Sequence, residues 1–278
     1  MQTVLLTAVA LVLLAANSLL TRAGVLDGTD PLAFAAIRVA AGAAMLIALS
    51  ARRGIPLTGG RRVGAAVALV VYLLGFSLAY RTLDAGLGAL ILFATVQLGL
   101  FGAGLARGEA AGPARLGGMG LALGGLVWLL WPTEAVATDP VDALLMVAAG
   151  LGWAAYSFAG KFEARPLAGS AGNFVLATTA FALAAPVWWG TAVTSMGVGL
   201  ALVSGAITSG LGYAILFRVL PRMDAATAGL TQLAVPVIAM AGGALLLAEW
   251  PSATALAAAG LVLAGIAVAT WRPRRRGG

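Results

Sequence analysis

The chain contains no cysteine and no histidine among its 278 residues. This composition excludes thiol nucleophiles, disulfide bonds, Ser-His-Asp triads and zinc sites built on cysteine or histidine. The side chains left for chemistry are polar and aromatic residues inside long apolar runs. In a membrane such polar groups are costly unless they are paired or face water, so they are the first candidates for a binding site. We expect no metal ion and no cofactor.

Aromatic residues recur at helical spacing in two of these apolar runs. Tyr72, Phe76 and Tyr80 are four residues apart and share one helix face, and Trp153 and Tyr156 do the same at a spacing of three. The residues predicted to line a binding cavity are Tyr72, Phe76, Tyr80, Thr95, Gln97, Trp153, Tyr156, Ser157, Thr208 and Gln232. Aromatic and amide groups suit a zwitterion with a bulky apolar side chain better than a phosphate, which recruits Arg or Lys.

Each candidate also has a structural alternative, which stays open at this point. Serine and threonine in membrane helices commonly bond the carbonyl four residues earlier, and Tyr80 is also placed where a membrane-interface anchor would lie. In the eighth apolar run the helical period puts Ser204 and Thr208 on one side and Ser209 and Tyr213 on another. Gln232 precedes Pro236 by four residues, where a proline frees a backbone carbonyl.

Arg38 is the only charge inside an apolar run, about 10 Å from its outer end at a rise of 1.5 Å per residue. A centred, unpaired arginine costs about 2.5–3.5 kcal/mol on insertion scales. Reaching the outer surface, or pairing with Asp27, Asp30 or Asp84, would lower this cost. Two interpretations stay open: Arg38 anchors the first half of the chain, or it contacts a substrate carboxylate.

The composition predicts the elements that position these residues, since 61% of the chain is apolar and 10% is charged. A soluble domain of this size does not cover its surface with so few charges, so we expect an all-α integral membrane protein. A helical span needs about 20 apolar residues. The ten predicted transmembrane helices are residues 4–21, 31–50, 63–81, 84–106, 114–131, 141–159, 170–190, 196–218, 225–248 and 252–271.

Basic residues predict the orientation of these spans. Fourteen lie in one set of loops and the C-terminal tail, whereas Arg22 and Arg81 lie in the opposite set. By the positive-inside rule, both termini are then cytoplasmic in a multi-pass protein of a bacterial inner membrane. The net charge of +7 is divided among short loops, so we do not expect nucleic acid as a partner. Because no basic residue precedes the first apolar run, we expect that run to be a retained helix and not a signal peptide.

An internal repeat becomes visible when the sequence is shifted by 140 residues. The shift aligns Asp84-Ala85 with Asp224-Ala225, Glu109 with Glu249, Gly120 with Gly260, and Gly125 with Gly265. We therefore predict two repeats, residues 1–135 and 136–278. Each repeat holds five spans, which is an odd number, so the second is inverted and a site is expected where the halves meet.

The matched segments resemble the EamA-type repeat of the drug/metabolite transporter superfamily. The resemblance is carried by the stretch from Asp84 to Glu109 with the Gly-rich helix after it, and by the stretch from Asp224 through Pro236 to Glu249. It implies a five-plus-five inverted repeat in the inner membrane that moves small metabolites and often exports amino acids. Span four has Val96-Gln97 where span nine has Pro236, which argues against a paired kink.

The function predicted from these features is a secondary transporter similar to the aromatic amino-acid exporters of this family. It would export amino acids with aromatic or other apolar side chains by alternating access around a central cavity. The four repeat-matched acids fall at helix ends and no carboxylate lies at mid-depth, so we expect an uncoupled facilitator or an exchanger. A multidrug exporter of lipophilic compounds, and a membrane sensor or channel, stay open as alternatives.

We expect no enzymatic activity, because the residues for an intramembrane protease are missing and Lys161, the only lysine, lies at a membrane edge. Small-residue pairs such as Gly120 with Gly124, and Gly99 with Ala103, allow helices to approach closely. With ten helices to pack, we expect these contacts within one chain. The protein would then be a monomer whose partners are its small-molecule substrate and the lipid bilayer.

Overall fold

The structure is a computed structural model that describes residues 2–50, 54–131, 139–160, 163–219 and 231–270. The regular structure of these residues is helical throughout, which confirms the predicted all-α membrane fold. Within these described ranges, nine helices are long and apolar enough to cross a membrane, and a tenth apolar helix is shorter. The helices are α1 (Gln2–Leu26), α2 (Pro31–Ser50), α3 (Gly60–Ala79), α4 (Ala85–Ala106), α5 (Pro113–Leu130), α6 (Pro140–Gly160), α7 (Pro166–Leu183), α8 (Ser195–Val203, continued by Ser204–Leu211 and Gly212–Val219), α9 (Ala234–Leu246) and α10 (Ala253–Thr270).

Two helices end several residues away from the position that the hydropathy of the sequence predicts. α1 continues to Leu26, so Asn17 and Arg22 lie within the helix. α7 ends at Leu183 and is followed by a short helical turn, Ala185–Trp188, that contains a proline without a backbone donor. The predicted loop and repeat residues Arg52, Arg53, Lys161, Arg222 and Asp224 lie outside the described residues.

Most contacts between helices are repeated in the two halves of the chain. Where two helices pack together, the helices five places further along the chain, counting α1 after α10, usually also pack together. α2 packs against α7, α4 against α9, and α5 against α10. α3 packs on α6 as α8 packs on α1, and α4 packs on α6 as α9 packs on α1. Two repeats related by an internal two-fold axis would give such a pattern of pairs.

The crossing of α5 and α10 shows the same relation at single residues. A Cβ added at Gly125 would lie 3.0 Å from the backbone nitrogen of Val262, and one at Gly265 would lie 2.4 Å from that of Ala122. Gly125 and Gly265 are 140 residues apart, and so are Ala122 and Val262. The contact of Gly125 with Val262 and the contact of Gly265 with Ala122 are therefore equivalent in the two predicted repeats. The two backbones approach closely because both glycine positions lack a side chain.

The expected intrachain contact of Gly120 and Gly124 is wrong. Both residues are exposed, and nothing lies within 4 Å of a Cβ built at either position. The reason is the phase of the helix, because the face of α5 that packs on α10 carries Gly118 and Gly125. For Gly99 the expectation is confirmed, since its Cβ position lies 3.0 Å from Cβ of Ala154 in α6.

Candidate substrate-binding site

Seven aromatic rings from α3 and its C-terminal end, α6, α7 and α8 form one connected group in the interior of the bundle. Along α3, ring centroids are 4.9 Å apart for Tyr80 and Phe76 and 5.2 Å apart for Phe76 and Tyr72. The ring of Tyr72 then lies 4.8 Å from that of Trp153. These spacings fall in the range that aromatic pairs prefer. We call this group the aromatic cluster; its members are Tyr72, Phe76, Tyr80, Trp153, Tyr156, Phe174 and Tyr213.

Trp153 is the branch point of the aromatic cluster. Its ring contacts that of Tyr156 at 5.4 Å and that of Tyr213 at 5.1 Å, in addition to Tyr72. Phe174 of α7 extends the second branch, 5.9 Å from Tyr213. The predicted residues of α3 and α6 are therefore brought together, and two further rings join them that the periodicity within single helices did not connect.

Glycines explain why the rings of α3 and α6 meet. A Cβ added at Gly152 would lie 2.8 Å from the backbone nitrogen of Tyr72, and one at Gly75 would lie 2.4 Å from the carbonyl oxygen of Leu145. The two backbones are therefore close enough for Trp153 to pack directly on Tyr72. A larger residue at either glycine would separate the helices and the rings that they carry.

Trp153 differs from the other members of the aromatic cluster in its exposure. The other six rings are buried, whereas Trp153 is half-buried. Its exposure is not toward the outside of the bundle, because Leu144 and Leu151 carry the exposed face of α6 and Trp153 follows Leu151 by two residues, about 200° around the helix. The accessible part of the indole therefore faces the interior.

Arg38 lies beside the aromatic cluster with its side chain completely buried. Its Nη2 donates to the hydroxyl of Tyr72 at 2.8 Å, and its Nε donates to Oγ of Ser209 at 3.3 Å. The guanidinium carbon lies 5.4 Å from the ring centre of Tyr72 and 4.9 Å from that of Phe76, which is a cation–π geometry. Nη1 has no hydrogen-bond partner within the described part of the chain.

Two arrangements were expected to lower the free-energy cost of placing the charged Arg38 side chain in the membrane, and both predictions are wrong. The side chain does not reach the surface, and no ion pair between described residues includes it. The carboxylates considered for it make other contacts: Asp30 accepts from backbone N–H groups at the start of α2, Asp27 accepts from a threonine hydroxyl, and Asp84 lies 3.7 Å from Arg22. A buried positive charge therefore remains next to the aromatic rings.

Polar residues of α1 and α8 meet on the far side of Ser209. Oδ1 of Asn17 accepts hydrogen bonds from Ser204 at 2.9 Å, from Ser209 at 3.3 Å and from Thr208. The prediction that Ser209 faces another side of the helix than Ser204 and Thr208 is wrong. Residues 204–211 form a π-helical segment, whose wider turn brings positions i, i+4 and i+5 to one acceptor.

The structural alternatives apply to some of the predicted cavity residues. The hydroxyl of Thr208 also bonds the carbonyl of Ser204 at 2.8 Å, and Tyr156 donates to Ser170 at 3.0 Å. Tyr80 is fully buried and donates to the carbonyl of Ala85 at 3.3 Å, so it is not a surface anchor.

The remaining predicted residues have no hydrogen bond to the aromatic cluster within the described part of the chain. Thr95 is buried against Gly150 of α6, and its hydroxyl has no partner among the described residues. Gln97, Ser157 and Gln232 are half-buried, and in the part of the chain that is described no hydrogen bond or ring contact joins them to the cluster. The helix is interrupted at residue 233, next to Gln232, as expected from Pro236.

A second set of charged residues lies where α1, α3 and α9 end. Arg22 donates from Nε to Oε1 of Glu249 at 2.7 Å and from Nη1 to the carbonyl of Tyr80 at 2.9 Å. Oε2 of Glu249 accepts from the backbone N–H of Ala85 at 2.7 Å and so caps the start of α4. Glu249 therefore has a structural role, and its partner Arg22, predicted to be a loop residue, lies within α1.

The fold is that of a polytopic helical membrane protein. The model of the EamA-like transporter family matches residues 142–271. An uncharacterized protein of Pseudomonas aeruginosa is 46% identical over 273 residues, which cover 96% of this chain and 94% of that protein. The chain belongs to the EamA-like transporter family.

The crystal structure of another protein has the same fold. It superimposes with a TM-score of 0.70 at 22% sequence identity and covers 97% of this chain and 96% of its own. At this identity the similarity concerns the arrangement of the helices. It supports the ten-helix architecture over nearly the full length of the chain.

Proposed function

We propose that this transporter exports amino acids with aromatic or other apolar side chains across a bacterial inner membrane, with both termini in the cytoplasm. The observation that carries the proposal is Trp153, a half-buried indole among otherwise buried rings. An apolar side chain gains burial against this surface, and a ring gains stacking as well.

The charges near the aromatic cluster favour a zwitterion over a lipophilic cation. Among the described residues, no hydrogen bond or ion pair joins a carboxylate to a side chain of the cluster, whereas the guanidinium of Arg38 contacts two of its rings. A cationic drug would favour a negative group at this depth. An amino acid brings its own carboxylate and presents its ammonium group to aromatic faces.

Alternating access between the two predicted repeats, residues 1–135 and 136–278, is the mechanism that this arrangement supports. Tyr72, Phe76 and Tyr80 come from the first repeat, and the other rings of the aromatic cluster come from the second. A site at such a junction is exposed to each side in turn as the repeats rock. The described carboxylates lie at helix ends or in connections, so we propose an uncoupled facilitator or an exchanger.

The experiment is a flux assay with the purified full chain in proteoliposomes. We expect saturable flux of phenylalanine, tryptophan and leucine, little flux of glutamate, and no flux of the lipophilic cation tetraphenylphosphonium. Trp153→Ala should lower phenylalanine flux about tenfold, which corresponds to about 1.4 kcal/mol. The matched control is Trp189→Ala, which removes an indole that is 79% exposed and should leave flux unchanged. Flux of the cation without flux of amino acids would instead support a multidrug exporter.

A further inference from the structure

We infer that Nη1 of Arg38 binds the carboxylate of the transported molecule, so that a single carboxylate on an otherwise apolar body defines the substrate class. The inference rests on the proposed transport function and adds to it the residue and the chemical group that decide selectivity. It is carried by the hydrogen bonds and the burial of Arg38, and not by the stacking surface of Trp153.

The contacts of Arg38 leave its charge without a counter-ion. Nε and Nη2 donate to the neutral hydroxyls of Ser209 and Tyr72, and the rings of Tyr72 and Phe76 face the guanidinium. None of these groups is negatively charged, and Nη1 is buried without a partner among the described residues. Because a buried, uncompensated charge is strongly unfavourable, a negatively charged hydrogen-bond acceptor that binds at Nη1 would stabilise the site.

Tyr72 connects this charge with the accessible part of the site. Its ring packs on Trp153 with a centroid distance of 4.8 Å, while its hydroxyl accepts from Arg38. A molecule whose apolar part lies on Trp153 is therefore separated from the guanidinium of Arg38 by the ring of Tyr72. Alternating access moves the repeat that contains α2 relative to the repeat that contains α8, and the inference requires that this movement expose Nη1 to the substrate.

The number of positive groups favours a carboxylate over a phosphate. Of the described basic side chains that lie over aromatic rings, only Arg38 lies over rings of the aromatic cluster. One guanidinium balances a single negative charge, whereas a phosphate monoester carries about −1.5 to −2. A carboxylate accepts the charge-assisted hydrogen bond from Nη1 and leaves the pair neutral.

The test compares four molecules that share one ring: phenylalanine, phenylalaninamide, 3-phenylpropionate and 2-phenylethylamine. Wild-type protein in proteoliposomes should carry the two carboxylates much faster than the amide and the amine. Arg38→Gln should lower carboxylate flux tenfold or more and reduce the ratio of acid to amide flux toward one. Arg38→Lys keeps the charge and should retain part of this ratio, whereas Arg218→Gln, at an exposed position, should leave it unchanged.

A measurement on wild-type protein alone covers the case in which Arg38→Gln does not fold. 3-Phenylpropionate should raise the Tm, and 2-phenylethylamine at the same concentration should not. The inference is overturned if Arg38→Gln retains the preference for acid over amide, if acid and amide flux fall equally, or if neither carboxylate binds or is carried. Flux of 3-phenylpropionate without flux of phenylalanine would refute amino-acid export and leave the role of Arg38 in place.

Discussion

Glu249 binds Arg22 with one carboxylate oxygen and the backbone N–H of Ala85 with the other, at 2.7 Å in each case. One side chain thereby joins α1, the start of α4 and the connection between α9 and α10. The Arg22 and Glu249 side chains are 11% and 8% exposed, so the pair is largely removed from solvent. Its repeat counterpart at Glu109 is different, since that carboxylate is 55% exposed and lies 3.6 Å from Arg115.

Replacement of Glu249 by alanine should therefore destabilise the protein strongly. The change leaves the guanidinium of Arg22 without its carboxylate and the N–H of Ala85 without its cap. Removal of one partner from a buried pair costs about 3–5 kcal/mol. Thermal unfolding in detergent should show a clear fall in Tm for Glu249→Ala, while Glu109→Ala should change the Tm little because an exposed pair contributes less than about 1 kcal/mol. Equal shifts for the two variants would contradict this interpretation of the pair.

The same pair should control access from the membrane face on which α1 ends. In the proposed mechanism this face must open, and the link between α1 and the second repeat must then break. The chain has no native cysteine, so a single Ser157→Cys substitution, near Trp153, reports on accessibility. Glu249→Gln weakens the pair with Arg22. When a membrane-impermeant thiol reagent is added at this face, we expect the double variant Ser157→Cys, Glu249→Gln to be labelled faster than the Ser157→Cys parent.

The control for the labelling experiment is Glu109→Gln in the same Ser157→Cys parent. It removes the counterpart charge at the opposite end of the bundle and should not speed labelling from the face of Glu249. Labelling rates that do not differ between Glu249→Gln and its parent would show that the pair has no part in opening.

The close crossing of α5 and α10 should not tolerate a single methyl group. A Cβ at Gly265 would lie 2.4 Å from the backbone nitrogen of Ala122 and 2.6 Å from the carbonyl oxygen of Gly118, and backbone atoms cannot rotate away. Gly265→Ala should cost about 1–3 kcal/mol through overpacking. The matched controls are Gly120→Ala and Gly260→Ala, where nothing lies within 4 Å. Unfolding midpoints should fall for Gly265→Ala only; unchanged stability would mean that the helices are farther apart.

The shared acceptor at Asn17 should stabilise the π-helical segment of α8. Asn17→Ala removes the oxygen to which Ser204, Thr208 and Ser209 donate. The expected loss is about 1–3 kcal/mol, because buried hydroxyls lose a partner. Thr179→Ala, which removes an exposed hydroxyl bonded to its own helix, should be nearly neutral in the same unfolding assay. A neutral Asn17→Ala would mean that the hydroxyls find backbone acceptors instead.

Hydropathy and helical period predicted the ten helices and the aromatic residues of α3 and α6, because both depend on local spacing. The contact between Tyr72 and Trp153 depends on where two helices cross, and the glycines that set this crossing have no distinct pattern within a Gly-rich sequence. The phase of α8 beyond Ser204 was predicted wrongly because the period of an α-helix does not apply to a π-helical segment.

The charged residues were the least predictable part of the site. Loop counting placed Arg22 in a connection opposite the basic loops, and it could not identify the partner Glu249, which lies 227 residues away in the sequence. Pairing with a carboxylate or reaching the surface was expected to lower the cost of Arg38, and in the described part of the chain the side chain does neither. Such long-range partners, and their absence, follow from tertiary packing and leave no signal in local composition.

The central claim is that amino acids with apolar side chains cross the membrane through this protein without coupling to protons. Counterflow measures this directly: proteoliposomes loaded with unlabelled phenylalanine are diluted into a trace of labelled phenylalanine with no pH gradient. The labelled compound should accumulate transiently, with saturation by unlabelled phenylalanine, and an imposed pH gradient should not drive further uptake. Absence of accumulation above protein-free liposomes, or uphill uptake driven by the pH gradient, would contradict the claim.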